Sequence, residues 1–131
     1  MTNDTIYTAI KNVLLQFPCV EVCILYGSAA HDNLSPSSDI DIALSSNTIF
    51  TAERKLSIIK ALSNHTGRAV DLIDLKNASP ILVAEILKTG KRIIGNDTQY
   101  GQLISRHIMD YEDFAPLQKH ILKTRREQWI N

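Results

Sequence analysis

The 131-residue chain has no surplus of either charge: 14 Lys and Arg balance 14 Asp and Glu, for a formal net charge of zero. Long-range capture of RNA or DNA needs a basic surplus, and no motif interleaves aromatic with basic residues, so a nucleic-acid polymer is not the expected substrate. Cysteine is scarce. Cys19 and Cys23 are too few to staple a chain of this length, and they fall in or beside an apolar segment, which predicts packed thiols rather than metal or redox use. The four histidines, at 31, 65, 107 and 120, are too scattered for a His-based metal site. No apolar run approaches the ~20 residues that cross a membrane, and the polar residues after Met1 lack the pattern of a signal sequence. A cytoplasmic location without membrane attachment is expected. With no repeat, low-complexity tract or linker, residues 1–131 read as one domain.

What the chain does have is enough apolar material for a core, at 44% of residues. Ile6, Ile10, Val13, Leu14 and Phe17 recur at helical spacing until Pro18 ends the run. "VEVCILY" is short, apolar and rich in β-branched residues, as a buried strand is. "DIDIAL" alternates strictly, with Ile40, Ile42 and Leu44 on one face and Asp39, Asp41 and Ala43 on the other. Residues 51–63 predict a second amphipathic helix through Leu56, Ile59 and Leu62, and "AVDLIDL" a third strand. Ser79 as N-cap, Pro80 at the first helical position and Gly90 as a stop delimit another helix. A short strand, "RII", follows, and residues from about 98 to 131 read as helical, with Tyr100, Leu103, Ile104 and Ile108 on one stripe and Pro116 opening a last helix through Leu117, Ile121 and Leu122. The fold class is therefore α+β: a small mixed sheet flanked by helices, with C-terminal helices. Charge is unevenly spread, six basic and nine acidic residues in 1–87 against eight and five in 88–131, the bias of a solvated helix face.

The stretch "LYGSAAHDNLSPSSDIDIAL" carries the chemistry. Two aspartates at i and i+2 of a strand project to the same side, near enough to share a divalent ion, and left unpaired beside a core they would be costly. Asp71, on another candidate strand, is a third carboxylate for the same site. Ahead of them a strand ends at Gly27, where backbone can approach a ligand, and Ser28 adds a hydroxyl and an N–H, a suitable cradle for phosphate. Asp74, three residues beyond Asp71, points to the other face and reads as structural, as does Asp32.

Gly27, Ser28, ten intervening residues and then Asp39, Ile40, Asp41 form a pattern that resembles the minimal nucleotidyltransferases of the DNA polymerase β superfamily. The likeness extends through "GRAVDLIDL", "SPILVAEILKTG" and "DYEDF", and is nearest to the MntA-type antitoxins that accompany HEPN-domain toxins. The resemblance implies a nucleotidyltransferase-like core and transfer of AMP from ATP to a tyrosine of a partner HEPN ribonuclease, silencing it. It implies that Gly27 and Ser28 bind the nucleotide phosphates, that Asp39, Asp41 and Asp71 are catalytic and hold Mg2+ or Mn2+, and that Asp71 helps deprotonate the acceptor. Many such proteins have an arginine three residues after the serine. Here that position is His31, which leaves His31 and Arg68 as candidate phosphate contacts.

Two other readings stay open: nucleotide transfer to a small hydroxyl compound such as an aminoglycoside, and a binding module that covers its partner without catalysis. Tyr111, Asp113 and Phe114 read as packing of the final helices, and Trp129 as a docking aromatic.

Overall fold

The run Val-Glu-Val-Cys-Ile-Leu-Tyr forms β1 (Val20–Tyr26) and the alternating segment forms β2 (Ile40–Ser46), in a computed structural model that describes residues 3–27, 30 and 38–109. β3 (Val70–Asp74) and β4 (Lys91–Ile94) complete a four-stranded sheet in the order β3-β2-β1-β4. β1 runs antiparallel to both β2 and β4. β2 and β3 are parallel, which requires a crossover, and α2 (Ala52–Thr66) supplies it. With α1 (Asn3–Leu14), α3 (Pro80–Thr89) and helical residues 97–109, here α4, the architecture is the expected mixed α+β.

Strand alternation divides the core between the two sheet faces. Cys23, Leu25, Ile40, Ile42, Leu44 and Leu72 pack with Ile6, Ile10, Val13 and Leu14 of α1 and with Ile58 and Leu62 of α2. On the other face Val22, Ile24 and Ala43 meet Leu75, Val83 and Ile86, with Tyr26, Ile73, Tyr100 and Leu103 partly buried beside them. Both cysteines are buried free thiols: Cys19 Sγ accepts from Arg54 Nη1 at 3.0 Å, and burial pushes the Cys23 thiol far up from its ordinary pKa.

Most element boundaries fall where the punctuation put them. α1 tightens at its end, with Phe17 N–H donating to Leu14 carbonyl at 3.0 Å just before Pro18. Thr51 Oγ1 accepts from Arg54 N–H at 3.1 Å to cap α2, and Ser79 Oγ accepts from Leu82 N–H at 3.3 Å to cap α3, each cap being worth about 1 kcal/mol.

Two expectations, for α2 and α4, need correction, while the Gly90 stop holds and has a further cause. The inward stripe of α2 is Ile58, Leu62 and Thr66, while Leu56 is half exposed; apolar neighbours at 56, 58 and 59 fit two adjacent stripes, and packing against α1 and β3 selects one. Gly90 ends α3 in an extended conformation, and its role is close approach: a Cβ there would strike the Ile24 side chain and lie 2.6 Å from Ile86 carbonyl. Ile108 is half exposed rather than part of the α4 contact face. The expected Pro116-led helix, Tyr111, Asp113, Phe114 and Trp129 lie outside the described residues.

Candidate active site

Register assembles the site. Tyr26 at the end of β1 is the partner of Asp41 in β2, and Asp41 is in turn the partner of Asp71 in β3. Side chains directly opposite one another in a sheet share a face. A phenol and two carboxylates thus stand in one row across three strands, each strand about 4.8 Å from the next. Asp39 sits one residue before β2 and is exposed, so it flanks the row rather than occupying a ladder position inside the strand. All three predicted acids come to the same end of the sheet.

Electrostatics agree with that placement. Asp41 is held above its ordinary pKa by partial burial, then by the charge of Asp71, then by that of Asp39. Burial pushes the Tyr26 phenol up to about 12, with Asp71 and Asp41 adding to the effect. Each shift disfavours another negative charge, the condition that a bound cation relieves.

Gly27 closes the row on the β1 side. Its φ of 72° lies in the left-handed region, and a Cβ on it would collide with Asp41 Oδ2. The residue must therefore be glycine for two reasons, backbone conformation and the space taken by the carboxylate. Ser28 and His31 lie outside the described residues, as does Asp32.

The donor set suits a hard divalent cation, since it consists of carboxylate oxygens that repel one another. Among the described residues no group of three or more His, Cys, Asp or Glu side chains is drawn together closely enough to hold a metal alone. Asp39, Asp41 and Asp71 are the residues that could help hold it.

Asp74 is placed elsewhere and acts structurally. It is buried, Oδ1 accepts from Lys76 N–H and Oδ2 from Asn77 Nδ2, both at 3.1 Å, closing the turn into α3. Arg68 also has a task that sequence did not reveal: its Nη1 donates to the Ser38 carbonyl at 3.0 Å. Nothing in the local pattern around Arg68 signals a partner thirty residues away. Tyr26 was missed as a neighbour of the acids for a similar reason, because loop length does not fix which residue of β1 faces Asp41. A cavity of about 170 Å3 touching Ser45, Leu75, Lys76, Val83, Leu103 and Arg106 lies four residues farther along β2, roughly 13 Å of strand from Asp41, and is separate from the carboxylate row.

Comparison with known proteins follows the geometry. The family model described as polymerase beta, nucleotidyltransferase matches residues 8–99, a span that includes Gly27, Asp39, Asp41 and Asp71. The protein adenylyltransferase MntA of Shewanella oneidensis is 28% identical over 86 residues, 66% of this chain and 62% of that protein, so the match spans less than two thirds of the relative. Two crystal structures are similar in fold. One, of a toxin–antitoxin with AMP-PNP, has a TM-score of 0.81 at 22% identity, covering 92% of this chain and 98% of the other. The second, a tri-AMPylated Shewanella oneidensis HEPN toxin in complex with MNT antitoxin, has a TM-score of 0.78 at 21% identity, with 95% and 98% covered.

Proposed function

Because the chain belongs to the polymerase beta nucleotidyltransferase family, we propose that it transfers AMP from ATP to a hydroxyl, a tyrosine of a HEPN-domain toxin, and thereby neutralises that partner. The observation that carries this reading is the row of Asp41 and Asp71 in register, flanked by Asp39 and closed by a glycine whose missing Cβ makes room for Asp41. The relative named a protein adenylyltransferase and the fold likeness to antitoxin complexes support the choice of acceptor.

In this mechanism Gly27 and Ser28 hold the β- and γ-phosphates, and Asp39 and Asp41 would hold Mg2+, or Mn2+ in its place. Bound there, the cation would polarise the α-phosphate and offset charge on the departing pyrophosphate. Asp71, exposed at the rim of the row, would help hold the cation and accepts the acceptor's proton. The hydroxyl oxygen attacks the α-phosphorus, the bond to the bridging oxygen breaks, pyrophosphate leaves and the proton passes to the carboxylate. One domain, residues 1–131, performs the chemistry. The cytoplasm supplies ATP and keeps Cys19 and Cys23 reduced, and among the described residues no helix is long and apolar enough to cross a membrane.

The test is intact-mass spectrometry of the HEPN partner after incubation with the chain, ATP and Mg2+, beside an Asp39→Ala, Asp41→Ala double variant. Added AMP masses that vanish with the variant are expected. A partner that is neutralised yet unmodified, by either protein, overturns transfer in favour of binding alone, and modification of an aminoglycoside in place of the partner would reassign the acceptor.

A further inference from the structure

Asp39 lies outside the β2 ladder, one residue before the first registered pair, Ile40 with Val70, and its side chain is exposed. A metal ligand in that position is not fixed by its own strand, although productive coordination requires placement within about 0.5 Å. Two contacts supply what the ladder does not. Ser38 carbonyl accepts from Arg68 Nη1 at 3.0 Å, and Ile40 N–H donates to Ala69 carbonyl at 2.9 Å. The backbone on either side of Asp39 is thus tied to two consecutive residues of the α2–β3 turn.

That turn is itself anchored. Gly67 caps α2 in the left-handed conformation, Thr66 Oγ1 donates to Leu62 carbonyl at 2.7 Å, and Arg68 N–H donates to the same Thr66 oxygen at 3.3 Å. Half-buried Arg68 therefore sits on a rigid helix end and reaches across to the segment that carries the first acid.

From these contacts we propose that Arg68 is a positioning residue for Asp39, acting through the Ser38 carbonyl, rather than a contact to nucleotide phosphate. The inference rests on the metal role given to Asp39 above. It is tested by Mn2+ binding, which does not depend on whether AMP is transferred.

Electron paramagnetic resonance of Mn2+, titrated into the chain without nucleotide, gives the affinity directly. Arg68→Met should weaken Mn2+ binding by about tenfold, the usual loss when the group orienting a metal ligand is removed, and Arg68→Lys, which retains a donor, should recover part of it. In an Asp39→Asn background the Arg68 substitution should change Mn2+ affinity less than about twofold, because the residue acts through the acid already removed. An equal loss in both backgrounds overturns the proposal, as does unchanged Mn2+ affinity with weaker AMP-PNP binding in metal-free buffer, the signature of a phosphate contact. Should Arg68→Met fail to fold, the same cycle run with Arg68→Lys decides on the same criterion. Absence of AMP transfer by the wild type, with this Mn2+ pattern intact, would overturn the transferase reading and leave the positioning role standing.

Discussion

Replacing Asp41 by Asn should stabilise the metal-free protein while disabling its site. In the fold Asp41 and Asp71 are registered partners, so their carboxylates stand on the order of 5 Å apart. At that separation two like charges repel by about 1 kcal/mol in a water-like dielectric, which is the appropriate limit because Asp71 is exposed and Asp41 only partly buried. For a chain of this size the relief corresponds to roughly 4 °C in melting temperature. Differential scanning calorimetry in EDTA at neutral pH should therefore place Asp41→Asn above the wild type. The pH dependence has a definite sign. Asp41 is a carboxylate whose folded pKa is raised, so the folded chain takes up this proton more readily than the unfolded one and its stability penalty is present above the folded pKa. As pH falls through that value toward the ordinary carboxylate range, the penalty disappears and the gap between the two proteins should close. With Mg2+ and AMP-PNP the order should reverse, because only the wild type gains stability from the pair. A variant no more stable than the wild type in EDTA at pH 7, or a gap that persists unchanged into acid, would refute the repulsion argument.

Gly27→Ala combines a positive φ with a Cβ aimed at Asp41; the backbone alone should cost about 1–2 kcal/mol in urea denaturation, and AMP transfer should fall with it, whereas unaltered stability would contradict the backbone strain argued for this position. Asp74→Ala removes both acceptors that close the turn into α3 and should lower stability by about 1–3 kcal/mol without changing Mn2+ affinity, separating the structural acid from the three at the site. Thiol labelling of Cys19 and Cys23, both buried, should proceed only as fast as the protein opens, and rapid labelling in native buffer would contradict the packing described.

Residue patterns revealed those parts of the molecule whose cause is local. The helix cap at Ser79 and the break at Pro18 are written in a few adjacent residues, and so is the alternation that sends Ile40, Ile42 and Leu44 inward. Strand period puts Asp41 on the face of Ala43, but Asp39, which the same alternation placed in the strand, falls one residue before it. Parts set by contact between distant segments were not legible. The choice of Ile58 over Leu56 depends on what α2 packs against, and Gly90 looks like an ordinary helix stop until Ile24 and the Ile86 carbonyl are seen beside it. Family resemblance, not periodicity, suggested that Asp71 joins the other acids; the register then put it opposite Asp41. Tyr26 and Arg68 depend on pairings fifteen and thirty residues apart, for which a single sequence carries no signal.

Among the described residues, the strand that bears Asp71 stands at the border of the sheet, five residues long and paired with β2. Asp41, by contrast, lies on an interior strand paired on both sides. Fraying should begin at such a border, so mild denaturant ought to silence the protein before its core melts, and inactivation would measure the detachment of one short ribbon while the rest of the molecule is still intact.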